Sequence, residues 1–223
     1  MYSKKKEMTE IYKTYQHNPP HLFRSNAKYF ITGATYKKVD YLGSDEAREI
    51  FLKYLFKSFE HYNWQIEDWV VLDNHYHLMV NAPENAESLS QVINNLHRFA
   101  SGALNKCLPN IGKYMEFTDC VSVKSRSDLK KKKYLSSAST QSMHSKNKTK
   151  KFHNYRDTCI TNESSYFARL HYIWFNPVKH GYVKNPENWK FGSYYFRVKK
   201  DNENVFKIID EYPCDKVNVY DDF

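Results

Sequence analysis

Between Trp64 and Ala82 the chain reads WQIEDWVVLDN and then HYHLMVNA, two β-rich stretches that abut at Asp73-Asn74. Val, Ile, Trp and Tyr suit a pleated, half-buried surface, and an Asp-Asn pair favours a turn. The segment is therefore two strands, or one strand and its continuation. On both sides the apolar period changes from two to about 3.6 residues. Upstream, SDEAREIFLKYLFKSFEHY opens on a Ser44 N-cap with acidic residues in its first turn, and Ile50, Leu52, Leu55, Phe56 and Phe59 recur at near-helical spacing. Downstream, residues 88–106 predict a second helix with a buried stripe of Leu89, Val92, Ile93, Leu96 and Phe99. KYFITGATY (28–36) alternates as a first strand, and FHNYRDTCI (152–160) reads as another. SSYFARLHYIWF is a last helix, started by Asn162 or Ser164 and expected to end near Asn176, because Pro177 disfavours helix in the residue before it. The order β–α–β–β–α–β–α predicts an α+β fold: a ferredoxin-like (split βαβ) antiparallel sheet with helices on one face.

A chain of 223 residues suits one domain carrying a long insertion. Residues 1–27, broken by Pro19-Pro20, are expected to form an arm, 28–200 the folded body, and 201–223 an acidic tail with seven acidic and two basic residues. The net charge of +9 is concentrated: residues 121–151 hold ten Lys/Arg and one acid, Asp128, and the rest of the chain is neutral. That segment, low in hydrophobics and rich in Lys and Ser, cannot offset its ordering entropy and is expected to be a mobile insertion or partly ordered hairpin. A local polyanion contact follows better from this than a uniformly basic surface. Apolar runs are too short for a membrane span, no apolar h-region follows the first lysines, and Cys107, Cys120, Cys159 and Cys214 form no CxxC pair. The expected setting is a reducing cytoplasm, with no membrane partner and no nucleotide cofactor, since no P-loop is present.

In HYHLMV, His75 and His77 point to one face of the strand and Tyr76 to the other. Two adjacent imidazoles repel when both are protonated, and a shared metal ion satisfies both; the plain alternative is an edge strand whose histidines face water. In HYIWFNPVKHG, Tyr172 and Asn176 lie one helical turn apart on one face, beside an apolar stripe of Phe167, Leu170, Ile173 and Trp174. If this helix crosses the open face of the sheet near the histidines, Asn176 offers a carbonyl oxygen as a third ligand. Two imidazoles, one amide oxygen and open water positions suit Mg²⁺ or Mn²⁺. The plain alternatives are a packing role for Tyr172 and a helix C-cap for Asn176.

Three stretches, YFITGATY, VVLDNHYHLMV and YIWFNPVKHGYVKNPENWKFGSYY, resemble the REP-associated tyrosine transposases, relatives of the single-tyrosine HUH transposases of small insertion sequences. The resemblance spans roughly residues 25–200 apart from the basic insertion, and makes 28–200 a catalytic domain of the HUH endonuclease type. It implies that His75, His77 and Asn176 hold a divalent metal and that Tyr172 is the nucleophile of single-stranded DNA nicking and strand transfer, through a 5′-phosphotyrosine intermediate at hairpin-forming palindromes. Tyr155, in FHNYRD, is the rival nucleophile, although Arg156 stands where relatives often carry an aromatic. Lys130, Lys131, Lys132 and Lys133 of the insertion, with Arg98, Lys179 and His180, are candidate DNA contacts, the protein acting as monomer or dimer on single-stranded or hairpin DNA. Two competing readings remain: a domesticated, catalytically silent nucleic-acid-binding protein of the same fold, and a metal phosphohydrolase that uses water and has no need of Tyr172.

Overall fold

A computed structural model of the chain describes residues 11–13, 21–108, 150–200, 202–214 and 217. Most of the basic insertion, Lys130 to Lys133 included, lies outside the described residues. Within the expected arm, strands β1 (Ile11–Lys13) and β2 (His21–Phe23) pair antiparallel as a ribbon. The main sheet holds β3 (Lys28–Ala34), β4 (Gln65–Val71), β5 (His75–Asn81) and β6 (Arg156–Ile160), in the order β4-β5-β3-β6 with every pair antiparallel. Helices α1 (Asp45–His61) and α2 (Leu89–Cys107) follow β3 and β5. Helix α3 (Glu163–Lys179) follows β6, and α4 (Tyr194–Arg197) and α5 (Asn202–Glu211) complete the described chain. This is the α+β, split βαβ arrangement expected from the sequence.

Alternation along β3 and β5 divides the core between two faces. Tyr29, Ile31, Tyr76, Leu78 and Val80 meet Phe51, Leu55 and Phe59 of α1 and Leu89, Val92, Ile93 and Leu96 of α2. Phe51 and Leu55 are wholly buried, and each such side chain contributes about 1.5–3 kcal/mol. The Ser44 hydroxyl caps α1 by accepting from the Ala47 amide at 3.2 Å. Gly33 sits directly opposite Tyr76, and a Cβ there would lie 2.2 Å from the Tyr76 ring. The missing side chain lets Tyr76 lie flat across β3 and leaves its two neighbours, His75 and His77, on the opposite face.

Three expectations are amended. The helices are not confined to one face: α3 packs Leu170, Ile173 and Trp174 on Phe30, Val70 and Met79, the face the histidines share. Helix α3 does not stop before Pro177 but runs through it to Lys179, and the His180 amide donates to the Asn176 carbonyl at 3.1 Å. Proline this close to a C-terminus forfeits one backbone hydrogen bond, and burial of its ring among the α3 contacts offsets that loss. Phe99 is 47% exposed instead of buried; the apolar stripe of α2 steps from Leu96 to Ala100 and Leu104, and Phe99 stacks on Tyr54 of α1. The start of the expected tail docks on the back of α3, where Tyr212 lies 4.7 Å from the Phe167 ring and its carbonyl 2.9 Å from His171 Nδ1. Among the described residues no helix is long and apolar enough to cross a membrane.

Candidate active site

The site forms where the first residues of β5 meet the last turn of α3. His75 and His77, 2% and 0% exposed, project from β5 with ring centroids 5.2 Å apart. Each is held by its Nδ1. Asn74 Oδ1 lies 2.8 Å from Nδ1 of His75, so that nitrogen carries the proton and Nε2 keeps its lone pair. Thr32, paired with His77 across the β3–β5 ladder, places its hydroxyl 2.9 Å from His77 Nδ1. Phe30 stacks on His77 at 5.5 Å, and Tyr172 stands edge-on to the same imidazole at 5.2 Å.

From α3, Tyr172 and Asn176 both turn inward and are buried. Asn176 faces His75 and interacts with its imidazole, yet neither its Oδ1 nor its Nδ2 has a hydrogen bond of good geometry among the described residues. A buried amide in that condition is costly unless a ligand satisfies it. The exposed Lys179 folds back over the Tyr172 ring, its ammonium 4.8 Å from the centroid and donating to the phenol oxygen at 3.3 Å. His180, just past the helix, brings its ring to 4.8 Å from His75.

Electrostatics keep these imidazoles neutral. Burial pushes His75 down to about 3, with His180 and Lys179 adding to the shift and Asn176 opposing it. His77 is driven well below the ordinary range by burial first and then by His75, His180 and Lys179. Burial and Lys179 lower His180 as well. Neutral imidazoles with anchored Nδ1 atoms are the form that ligates a metal. Among the described residues no three His, Cys, Asp or Glu side chains converge as a metal cluster. The Asn176 amide, which faces His75, is of a type that could complete a metal site beside the two histidines.

A second buried group locks α3 in place. Asp68 shares the α3 face with Val70 by ordinary strand alternation, and a bulge in β4 between Ile66 and Asp68 shifts the register so that Ile66 falls on the α1/α2 face instead. The carboxylate accepts from Trp174 Nε1 (2.8 Å), Ser193 Oγ (2.7 Å) and Arg197 Nε (2.8 Å), and pairs with Arg197 Nη2 at 2.5 Å. Burial raises its pKa, and the donors from Arg197, Ser193 and Trp174 oppose that rise. Trp174 is two residues from Tyr172, so this network fixes the helix that carries the phenol.

Of the residues singled out in the sequence, the structure brings His75, His77, Tyr172 and Asn176 together, and adds Lys179 and His180. It separates two others. Arg98 lies on α2, across the sheet, over the Phe99 ring. Tyr155, the rival nucleophile, packs against the α1/α2 core, where it interacts with Tyr76 on the face away from the histidines. Thr32, Asn74 and Asp68 escaped the sequence reading. Thr32 was legible in principle, as a polar residue on the alternating inner face of a strand; Asp68 was not, because its partners lie more than 100 positions away.

A family model described as IS200-like transposase matches residues 23–136, just over half of the chain. The chain belongs to the IS200-like transposase family. The matched span carries β3 to α2 and both histidines; α3, with Tyr172 and Asn176, lies beyond it. The REP-associated tyrosine transposase, solved bound to a REP hairpin, is 18% identical, with 95% of this chain and 94% of that one covered and a TM-score of 0.57. It shares the fold. A structure from Deinococcus radiodurans R1, described as a candidate transposase, is 15% identical over 44% of this chain and 70% of that one; its TM-score of 0.34 carries no argument. No curated protein matches the chain. The resemblance read from the sequence thus holds at the level of family and fold.

Proposed function

We propose that this chain nicks single-stranded DNA and transfers the cut strand, with Tyr172 as the nucleophile. The observation that carries the reading is the convergence of Tyr172 and Asn176 from α3 on two neutral, Nδ1-anchored histidines of β5. The phenol oxygen attacks the scissile phosphorus and the P–O3′ bond breaks. The phenol proton passes to solvent, and the departing O3′ takes up a proton. The products are a 5′-phosphotyrosine link and a free 3′-OH. Because the link conserves the energy of the broken ester, a second 3′-OH can reverse the step and rejoin the strand without ATP.

A free phenol, with pKa near 10, is a weak nucleophile at neutral pH. Lys179, donating to the phenol oxygen, offsets the charge that builds there. His75, His77 and Asn176 would hold a divalent ion, Mg²⁺ or Mn²⁺, which when bound supplies Lewis-acid polarisation of the scissile phosphate. The substrate is unpaired at the cut, since a nucleophile only 4% exposed against a sheet demands a bendable backbone. Capture of a REP hairpin by the structural relative supports a hairpin beside the cut, at a short palindrome. The lysines of the insertion, Lys130 to Lys133, would grip its phosphates and make binding salt-sensitive.

The competing reading, a nucleic-acid-binding protein without catalysis, draws on the burial of Tyr172 beneath Lys179. Covalent trapping decides between them. Wild type, Tyr172→Phe and Tyr155→Phe are incubated with hairpin DNA from the flanks of the chain's own gene, with Mn²⁺ and with chelator. The nicking reading expects a metal-dependent adduct lost only in Tyr172→Phe. Binding without adduct in every sample supports the silent protein.

A further inference from the structure

Two residues beyond the end of β3, at the same end of the sheet as His75, an aromatic platform faces solvent. Ala34 pairs with His75 across the ladder, so Tyr36 lies about 7 Å further along the sheet than the first histidine. Tyr36 is 36% exposed, and its ring stacks on the exposed ring of His153, with centroids 6.3 Å apart and planes within 12°. The ammonium groups of Lys37 and Lys150 each lie 5.7 Å from the Tyr36 centroid. Lys38 is exposed beside them, and Lys151 packs its ammonium 4.1 Å from the Tyr41 ring.

This surface is held rigidly. Tyr36 N–H donates to the Lys151 carbonyl at 2.8 Å, and His153 N–H to the Ala34 carbonyl at 2.8 Å, so the two ring-bearing segments are tied together. Lys37 and Lys38 both adopt left-handed backbone, φ 57° and 58°, an arrangement unusual for two successive residues with side chains. Asn74 contributes a weak 3.4 Å hydrogen bond to the Lys38 carbonyl. The same Asn74 anchors His75. Backbone strain of this kind collects where a segment must be presented in one shape. Neither ring helps to fill the core.

We infer that the Tyr36–His153 platform stacks an unpaired nucleobase of the strand lying next to the scissile phosphate. In the stacked state the ammonium groups of Lys37 and Lys150 leave the ring for the flanking phosphates. Parallel rings suit any base through its π-face, and cations at the rim suit a polyanion. The inference rests on the proposal that the Tyr172 centre acts on single-stranded DNA, and it assigns that centre a binding subsite on the segment after β3 and the segment before β6.

The test separates the two proposals. Binding is measured on the full chain carrying Tyr172→Phe, which leaves DNA uncut, with an oligothymidylate bearing one 2-aminopurine as probe. Tyr36→Ala is expected to weaken binding about 5- to 100-fold and to remove the quenching of 2-aminopurine, and Tyr36→Phe to retain both. Lys37→Ala is expected to reduce the salt slope by about 0.7. Unchanged affinity and quenching in Tyr36→Ala, with a Tm equal to that of the parent, overturns the platform. If the Tyr172 chain forms no adduct yet Tyr36→Ala loses affinity, the platform stands and the nicking reading falls. If the adduct forms and Tyr36→Ala binds as before, nicking stands and the platform falls.

Discussion

The ammonium of Lys179 lies 3.3 Å from the phenol oxygen of Tyr172, seven residues and two turns away on the same helix. That spacing keeps both on one face, and it exists because α3 continues through Pro177. Lys179→Met keeps much of the stem that covers the ring and removes the charge. Single-turnover adduct formation should slow roughly 10- to 100-fold, a smaller loss than for a fully enclosed oxyanion donor because Lys179 is exposed. Lys179→Arg should recover part of the rate. Equal rates for Met and Lys would show that the contact has no part in the chemistry.

Thr32→Val preserves the shape of the side chain while removing the hydroxyl that holds His77 Nδ1. Loss of such an outer partner should weaken Mn²⁺ binding about 10- to 100-fold. Mn²⁺-induced stabilisation, followed by thermal unfolding, reads this without requiring turnover. His77→Ala should abolish the stabilisation and Tyr172→Phe should keep it. A Thr32→Val titration that overlays the wild type would remove the hydroxyl from the metal site.

Asp68→Ala should destabilise the fold by about 2–4 kcal/mol. It strands the Trp174 indole N–H and the Ser193 hydroxyl in a buried setting, whereas Arg197, 39% exposed, can return to water. Urea unfolding measures the loss. Asp68→Asn should cost less, since an amide oxygen still accepts from the indole. A neutral Asp68→Ala would mean that α3 is held by its apolar face alone.

Acid should weaken the fold through His97, which lies against Phe152 at 4.5 Å and hydrogen-bonds the Tyr76 hydroxyl at 2.9 Å. Burial, with a contribution from Lys150, holds its imidazole down at about 3. An unfolded-state value near 6.5 means that the unfolded chain binds more protons over the interval between. Stability therefore falls as pH drops below 6.5 and levels off below the folded value. One such histidine accounts for about 1–2 kcal/mol between pH 7.5 and pH 5. His97→Gln should flatten the dependence of the urea midpoint on pH in that window; an unchanged slope would contradict the assignment.

Much of this was legible in residues 64–82 and 162–180, and the reasons are local. Strand alternation placed His75 and His77 together, and a one-turn spacing placed Tyr172 over Asn176. Two neighbouring features were not legible. The bulge before Asp68 puts Ile66 and Asp68, two positions apart, on opposite faces, and no period in QIEDWVV announces it. Phe99 sits where a helical stripe admits it, yet the adjoining Ala100 takes the buried place and Phe99 turns outward to stack on Tyr54 of α1, a choice that tertiary packing makes and spacing does not. Pro177 runs against expectation for a related reason: the preference of the residue before proline is a local term, and burial of Asn176 and Pro177 overrides it.

The central claim is that Tyr172 becomes covalently joined to DNA. The most direct measurement is proteolysis of the trapped adduct, followed by mass spectrometry of the peptide that carries the nucleotide. The account predicts a 5′-phosphate ester on the peptide containing Tyr172, formed with Mn²⁺ and absent with chelator. A modified Tyr155 peptide, or cleaved DNA with no linked peptide, would contradict it.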